Sequence, residues 1–92
     1  MAKKILTYGE MFSGPGGLAK GALLAAAEHP VFDIEHSWAI DIDKASCETY
    51  AWNICGKELK DDPSVINKPI DEVDIENELK RVDIFAFGFP CN

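Results

Sequence analysis

Residues 4–27 read KILTYGEMFSGPGGLAKGALLAAA. Residues 4–12 are rich in apolar side chains and end at a cluster of glycines, which predicts a buried strand followed by a tight turn. Residues 17–27 are rich in alanine and leucine, which favour a helix, and His29 and Pro30 bring that helix to an end. This stretch therefore predicts a strand, a glycine turn and a helix, which is the opening unit of an α/β fold.

A second strand and helix follow. Residues 32–42 form an apolar stretch with the acids Asp41 and Asp43 at its end, and Asp43, the next residue, is placed to cap the following helix. That helix presents one continuous apolar face, formed by Cys47, Tyr50, Ala51 and Ile54. Gly56 then stands where a left-handed residue is expected to end the helix.

The rest of the chain predicts two further strands. Residues 64–66 form a short candidate strand, and residues 71–81 have apolar positions spaced for one or two helical turns. Residues 83–88 lack alternation, which is typical of a strand buried on both faces. The acids within residues 61–78, Asp62 among them, are expected to form a solvated face. The order of strands and helices predicts an α/β fold with a mostly parallel sheet, the first half of a doubly wound sheet.

Composition narrows the class of protein. The chain has 92 residues, 47% of them hydrophobic and 27% charged, which is ordinary for one small soluble domain. The sequence contains neither a signal-like segment nor an apolar stretch close to the roughly 20 residues that cross a bilayer, so we expect a cytoplasmic protein. The net charge of −7 argues against this chain binding a nucleic-acid phosphate backbone by itself, because such binding needs clustered lysine or arginine.

Three features that carry chemistry follow the predicted strands: the glycine turn, the acids after the second strand and Cys91. Parallel strands present ligands at their carboxyl ends, so one edge of the sheet can bring these features together. Residues 14–19 fit the pattern G-x-G-x-x-A of dinucleotide sites, although Pro15 removes one backbone donor and glycine turns also occur for structural reasons alone. Asp41 stands where a ribose diol is bound, or it is a solvated acid at a strand end. Together the two features favour an adenosine-containing cofactor.

The cysteines and histidines differ in what they can do. Cys91 follows a proline in a loop past the last strand, so its sulfur is placed to act as a nucleophile. Cys47 and Cys55 are expected to be small buried side chains, and the odd set of cysteines fits a reducing compartment. His29 and His36 are isolated and are expected to be structural or solvated. No metal site is implied.

Three motifs resemble those of the cytosine-C5 DNA methyltransferases, which use S-adenosylmethionine. They are FSGPGGLAKG at residues 12–21, WAIDIDKA at residues 38–45 and GFPC at residues 88–91. The resemblance covers essentially the whole chain and implies a Rossmann-like S-adenosylmethionine-dependent methyltransferase fold. It also implies that residues 1–92 are the N-terminal, cofactor-binding part of a catalytic domain that is truncated here.

The same resemblance implies roles for individual residues. The methionine and adenine portions of S-adenosylmethionine would be held by Phe12, Ser13, Gly14, Pro15, Gly16 and Gly17. Asp41 would accept the ribose hydroxyls, and Ile42 would pack against the adenine. Cys91 would add to C6 of a cytosine flipped out of double-stranded DNA, so that C5 can take the methyl group. The implied activity is that of a DNA (cytosine-5)-methyltransferase of a bacterial restriction-modification system.

Two positions depart from the family's pattern. Asn92 stands where the family usually has glutamine, and Pro69 occupies the place of an acid that bonds the adenine amino group. Either Asn67 or Asp71 would have to substitute for that acid.

The family's later catalytic motifs come after the Pro-Cys motif, so we expect this chain to be inactive alone. Half a sheet would leave the outer edge of its fourth strand open, which predicts self-association or pairing with a downstream fragment. Two other functions stay open: a fragment of an NAD-dependent oxidoreductase, and a non-catalytic module that binds a cofactor or a partner.

Overall fold

The fold of residues 3–87 is described by a computed structural model. Its strands are β1 (Lys4–Met11), β2 (Phe32–Asp41), β3 (Val65–Asn67) and β4 (Ile84–Phe87). Its α-helices are α1 (Gly17–Glu28), α2 (Lys44–Tyr50) and α3 (Ile75–Glu78). A π-helical turn at Ala51–Cys55 continues α2, and 3-10 turns occupy Leu59–Asp61 and Ile70–Glu72.

The four strands form one parallel sheet in the order β3-β2-β1-β4. The chain moves from β1 through β2 to β3 in one direction and then returns to the far side of β1 to form β4. Since parallel crossovers are right-handed, α1 and α2 lie on one face of the sheet and residues 70–78 lie on the other. This is the predicted first half of a doubly wound, Rossmann-like sheet, and such sheets bind ligands at their carboxyl edge.

A bulge at Ser37 changes the face of the sheet to which the following side chains of β2 point. The pairing of β2 with β1 shifts by one residue there. His36, before the bulge, contacts Tyr50 of α2, whereas Trp38, after the bulge, packs against Val73 on the opposite face. The shift therefore turns a polar side chain toward the helices and a large apolar one away from them.

Two hydrophobic cores lie on the two faces of the sheet. The core beneath α1 and α2 consists of Tyr8, Ala19, Ala39, Cys47, Tyr50, Ala51 and Val65. The opposite core consists of Trp38, Ile40 and Val73, with Met11, Ile66, Ile70, Leu79 and Val82 packed against them. The central strands are therefore buried on both faces, and their carboxyl ends are held in a fixed relation to each other.

The local signals for helix ends are confirmed. The Asp43 side chain caps α2 by accepting a hydrogen bond from the Ser46 amide at 3.0 Å. Gly56 has a φ of 69°, the left-handed conformation expected of it. The region predicted to form one or two helical turns contains the 3-10 turn Ile70–Glu72 and the single-turn helix α3. Among residues 3–87, no helix is long and apolar enough to span a membrane.

The expectation of a solvated acidic face is wrong for Asp62. This side chain is 5% exposed, because it turns inward before β3 and accepts hydrogen bonds from the amide and the hydroxyl of Ser64. Local sequence reports charge but not the direction in which a turn points its side chains, so this burial depends on the tertiary fold.

Candidate cofactor-binding site

The glycine turn begins directly after β1 and has an unusual backbone. Phe12 has a φ of 55°, a left-handed conformation that costs a bulky residue free energy. Gly14 follows with a φ of 59°, which glycine adopts readily. The Ser13 amide donates to the Ile40 carbonyl at 3.1 Å, so the turn is attached to β2. The strained Phe12 is therefore held in place by its neighbours.

Gly16 must be glycine for two reasons. It has a φ of 104°, and a methyl group on it would come within 3.2 Å of Tyr50 Cδ2 and 3.1 Å of Ile54 Cγ1. The turn thus packs directly on the α2 side of the core. Gly16 also precedes α1 as its N-terminal cap, and the first amides of that helix have no intrahelical acceptor. The amides of Gly16 and Gly17 therefore offer backbone donors at the edge of the sheet.

Asp41 joins the turn to the loop after β2. One carboxylate oxygen accepts from the Gly14 amide at 2.8 Å, and the other accepts from the Asp43 amide at 2.8 Å. Each oxygen keeps a further lone pair, because a carboxylate can accept about four hydrogen bonds. The structure therefore brings together the glycine turn and the acid that the sequence placed at the same sheet edge.

A cleft of about 200 Å³ opens beside Asp41. It is lined by Phe12, Ile40, Asp41, Ile42, Lys68, Pro69, Ile70 and Asp71. Most of these side chains are apolar, and a flat ring bearing a few polar groups suits such a lining. A larger groove of about 540 Å³ lies outside α2 between Lys44 and Trp52, and it includes none of the residues at the strand ends.

The two candidates for the missing acid differ in their surroundings. The Asn67 amide nitrogen donates to the carbonyls of Asp41 and Ile42 at 3.1 and 2.9 Å, and Asn67 is not among the residues that line the cleft. Asp71 lines the cleft, and its carboxylate makes no hydrogen bond or ion pair within residues 3–87. The nearby Lys68 is paired with Glu78 at 2.9 Å. Asp71 is therefore the carboxylate that the cleft leaves available.

Sequence comparison relates this chain to a known protein family. A family model described as C-5 cytosine-specific DNA methylase matches residues 6–92. The chain belongs to this family. The Type II methyltransferase M.BbvI of Brevibacillus brevis is 48% identical over an alignment that covers 91% of this chain and 24% of the relative. The chain thus spans about a quarter of that relative's length, and no solved structure gives a match.

Family membership confirms the resemblance drawn from the motifs. This membership argues against the alternative of an NAD-dependent oxidoreductase fragment. That alternative would account for the glycine turn and Asp41 but not for a family match that extends over residues 6–92. Eight residues predicted to bind the cofactor lie at the carboxyl ends of β1 and β2: Phe12, Ser13, Gly14, Pro15, Gly16, Gly17, Asp41 and Ile42. Their roles in binding stay predictions. Cys91 lies outside the described residues, so its predicted role is likewise untested.

Glu10 lies two residues before the glycine turn and belongs to none of the three motifs. Its side chain is 1% exposed, and its Oε1 accepts a hydrogen bond from the Tyr8 hydroxyl at 2.9 Å. Burial raises the pKa of Glu10, and the negative charge of Asp41 adds to that rise. The one available signal was an acid two residues before the glycine turn on an otherwise apolar strand.

The prediction of buried cysteines is confirmed for Cys47, whereas Cys55 is half-buried. Cys47 is completely buried, and its thiol donates to the Asp41 carbonyl at 3.3 Å. Burial raises the pKa of Cys47 to about 11 and that of Cys55 to about 12, so neither forms a thiolate readily. Within residues 3–87, no cluster of His, Cys, Asp and Glu side chains is arranged to hold a metal ion.

Proposed function

We propose that this chain is the N-terminal, cofactor-binding part of a DNA (cytosine-5)-methyltransferase that uses S-adenosylmethionine in a bacterial restriction-modification system. The observation that carries the cofactor assignment is the Asp41 carboxylate, bonded to the Gly14 amide beside an apolar cleft. Because the chain spans about a quarter of its relative, residues 1–92 are proposed as one part of a catalytic domain and as inactive alone. A cytoplasmic location belongs to the same proposal.

The described residues fit the chemistry of S-adenosylmethionine. This molecule combines a flat adenine, a ribose diol and a methionine, and when bound it supplies an electrophilic methyl group. Phe12 and Ile42 flank the cleft and suit the faces of the adenine ring. Asp41 retains lone pairs for the ribose hydroxyls. The amides of Gly16 and Gly17, at the start of α1, suit the methionine carboxylate. Ser13 and Pro15 complete the turn that carries these groups.

Asp71 is proposed as the acceptor for the adenine amino group. Its carboxylate lines the cleft without a partner in the described part of the chain, whereas Asn67 does not line the cleft. Pro69 has no side-chain acceptor, so the Asp71 carboxylate, two residues later, would supply the hydrogen-bond acceptor that Pro69 lacks. This pairing would favour adenine over a purine that carries an oxygen at the same position.

Cys91 is proposed as the nucleophile. C5 of cytosine becomes nucleophilic only after a group adds at C6, and a thiolate is well suited to that addition. The Cys91 sulfur would form a bond to C6, and C5 would then take the methyl group. Loss of the C5 proton would restore the double bond between C5 and C6 and break the sulfur–carbon bond, which releases the Cys91 thiolate. The base must first be flipped out of double-stranded DNA. Because this chain carries a net charge of −7, the basic surface that binds DNA is assigned to the rest of the enzyme.

The outer edge of β4 is proposed as the place where the rest of the enzyme joins. Within residues 3–87, β4 pairs with β1 and with no other strand, and its residue Phe85 is half-exposed. An open edge of this kind pairs readily with another strand. In isolation the chain should therefore self-associate, and sedimentation that shows a monomer at high concentration would count against this assignment.

Calorimetric titration tests the cofactor. The chain should bind S-adenosylmethionine and should not bind NAD, and the reverse result would overturn the proposal. Methyl transfer to cytosine in DNA is then measured for the chain alone and after mixing with the remaining part of the relative as a separate polypeptide. Activity should require both parts and should be lost in Cys91→Ser but retained in the matched control Cys55→Ser. Activity that survives Cys91→Ser would remove the cysteine from the mechanism and favour a non-catalytic module.

A further inference from the structure

A chain of hydrogen bonds runs through the core beneath α2. The Tyr50 hydroxyl lies 3.1 Å from Nδ1 of His36, and Nε2 of His36 lies 2.8 Å from Oγ of Ser64. The Ser64 hydroxyl in turn bonds Oδ1 of Asp62. Tyr50 and Asp62 are buried, and His36 and Ser64 are half-buried. These bonds are therefore largely shielded from competition with water.

The protons in this chain run in one direction. Burial would raise the pKa of Asp62, but hydrogen bonds from Ser64 and Cys55, together with the nearby His36, outweigh burial and lower that pKa, so the carboxylate is ionised and only accepts. The Ser64 hydroxyl must then donate to Asp62, which leaves the Ser64 oxygen to accept from Nε2–H of His36. Burial lowers the pKa of His36, so the ring is neutral and its Nδ1 accepts from the Tyr50 hydroxyl. The network thus assigns a single tautomer to His36.

Tyr50 connects this chain to the glycine turn. Its side chain is fully buried, and a methyl group on Gly16 would come within 3.2 Å of its Cδ2 atom. The Tyr50 ring therefore packs directly beneath Gly16. The Gly16 carbonyl accepts from the Lys20 amide at 2.8 Å, so a rotation of the ring would disturb both the turn and the start of α1.

We propose that His36 is a positioning residue for the cofactor turn: by accepting the Tyr50 hydroxyl proton, it holds the Tyr50 ring against Gly16. The inference rests on the proposed function, since the turn is taken to bind S-adenosylmethionine. Protonated His36 would direct an N–H at the Tyr50 oxygen, so the hydroxyl hydrogen of Tyr50 would have to rotate away and would lose its acceptor in the core. Acid should therefore loosen the turn and weaken cofactor binding.

The surroundings of His36 support this reading. Three titratable groups face His36: Tyr8 on β1, Tyr50 on α2 and Asp62 before β3. Two more adjoin these groups, because Glu10 is the hydrogen-bond partner of Tyr8 and Cys55, after α2, lies beside Asp62. Burial raises the pKa values of Tyr8, Tyr50 and Cys55, which keeps all three neutral near pH 7. The negative charge of Asp62 favours protonated His36, but burial opposes it and has the larger effect.

Nitrogen NMR of the histidine rings tests the inference without any ligand. At pH 7.5, His36 in the chain should show a protonated Nε2 and an unprotonated Nδ1, and its protonation on acidification should coincide with shifts of the Gly14 and Gly16 amide signals. A protonated Nδ1, or glycine signals that do not follow the His36 titration, would overturn the inference. The wild-type chain suffices for this measurement.

Variants then connect the network to the cofactor. Tyr50→Phe keeps the ring but loses the hydroxyl, and we expect about a five-fold weaker affinity for S-adenosylmethionine at pH 7.5, the loss typical of one buried hydrogen bond. Trp38→Phe is the matched control, because it removes the 2.9 Å bond to the Lys80 carbonyl on the opposite face. In His36→Gln the fall of affinity between pH 7.5 and pH 5 should be much reduced. Equal affinities for Tyr50→Phe and Trp38→Phe would refute the role of His36, whereas a wild-type chain that binds no S-adenosylmethionine would refute the proposed function and leave the NMR test in force.

Discussion

The Asp41 carboxylate accepts a hydrogen bond from the Gly14 amide at 2.8 Å, across 27 positions of sequence. The same carboxylate accepts from the Asp43 amide at 2.8 Å, so one side chain fixes the turn after β1 and the loop after β2. The bond to Gly14 leaves lone pairs of the carboxylate unused. A ligand at this edge would therefore meet an acceptor whose direction is already set.

Replacing Asp41 should affect both stability and binding. In Asp41→Ala the amides of Gly14 and Asp43 lose their acceptor, and we expect a loss of about 1–3 kcal/mol in the free energy of unfolding. Affinity for S-adenosylmethionine should fall at least ten-fold. Asp74→Ala is the matched control, since Asp74 caps α3 on the opposite face and its loss should cost about 1 kcal/mol without weakening binding. Urea denaturation and calorimetry measure the two effects, and equal affinities for the two variants would contradict this role of Asp41.

Two glycines of the same region should respond oppositely to alanine. Gly16→Ala places a methyl group against Tyr50 and Ile54 at a φ of 104°, and we expect it to destabilise the fold by about 1–3 kcal/mol. Gly21 lies inside α1, where a methyl group would meet no atom within 4 Å, so Gly21→Ala should stabilise the fold by about 0.5–1 kcal/mol. Thermal unfolding of both variants compares them directly. A stable Gly16→Ala variant would mean that the turn is not packed on α2.

Asp71 should determine the preference for adenine. In Asp71→Asn a neutral amide replaces the charged acceptor, and affinity for S-adenosylmethionine should fall about ten-fold, as expected for a hydrogen bond to a charged group. The analogue in which an oxygen replaces the adenine amino group should bind the wild-type chain weakly and should lose little further affinity in the variant. Glu72→Gln is the control, because this neighbouring acid does not line the cleft. If Asp71→Asn weakens the binding of both ligands equally, then Asp71 acts through its negative charge and not through a hydrogen bond to the adenine amino group.

The sequence predicted the parts of the fold that depend on local chemistry. Glycines and a proline mark the two ends of the first helix, and the Asp43 cap and the left-handed Gly56 follow from residue type alone. The turn at Ala51–Cys55 has π-helical hydrogen bonding, which an apolar face spaced three and four residues apart does not reveal. Its geometry depends on how α2 packs on the sheet.

The candidate site shows the same division. The glycine turn and Asp41 could be identified from motifs, but the hydrogen bond that joins them depends on the alignment of two strands. The choice between Asn67 and Asp71 required the loop geometry, because both are polar and near the same position in sequence. The bulge at Ser37, which turns His36 toward Tyr50, has no clear local signal.

The last prediction concerns Glu10, where the effect of a substitution on the free energy of unfolding should depend on pH. Burial raises the pKa of Glu10, so the folded state holds a proton more tightly than the unfolded state does. Ionised Glu10 therefore destabilises the fold at a pH above its folded pKa, and this penalty disappears below the unfolded value of about 4.3. Glu10→Gln keeps an acceptor for the Tyr8 hydroxyl without the charge. It should be more stable than the wild type at pH 8, with the advantage vanishing near pH 4.

Urea denaturation between pH 4 and pH 8 measures this difference for Glu10→Gln and for the control Glu28→Gln, whose side chain is exposed at the end of α1. The control should show little dependence of the difference on pH. A Glu10→Gln variant that is less stable than the wild type at pH 8 would mean that the ionised carboxylate stabilises the fold. In that case the charge beneath the glycine turn must have a partner stronger than the Tyr8 hydroxyl, because a single neutral donor does not offset the burial of a carboxylate.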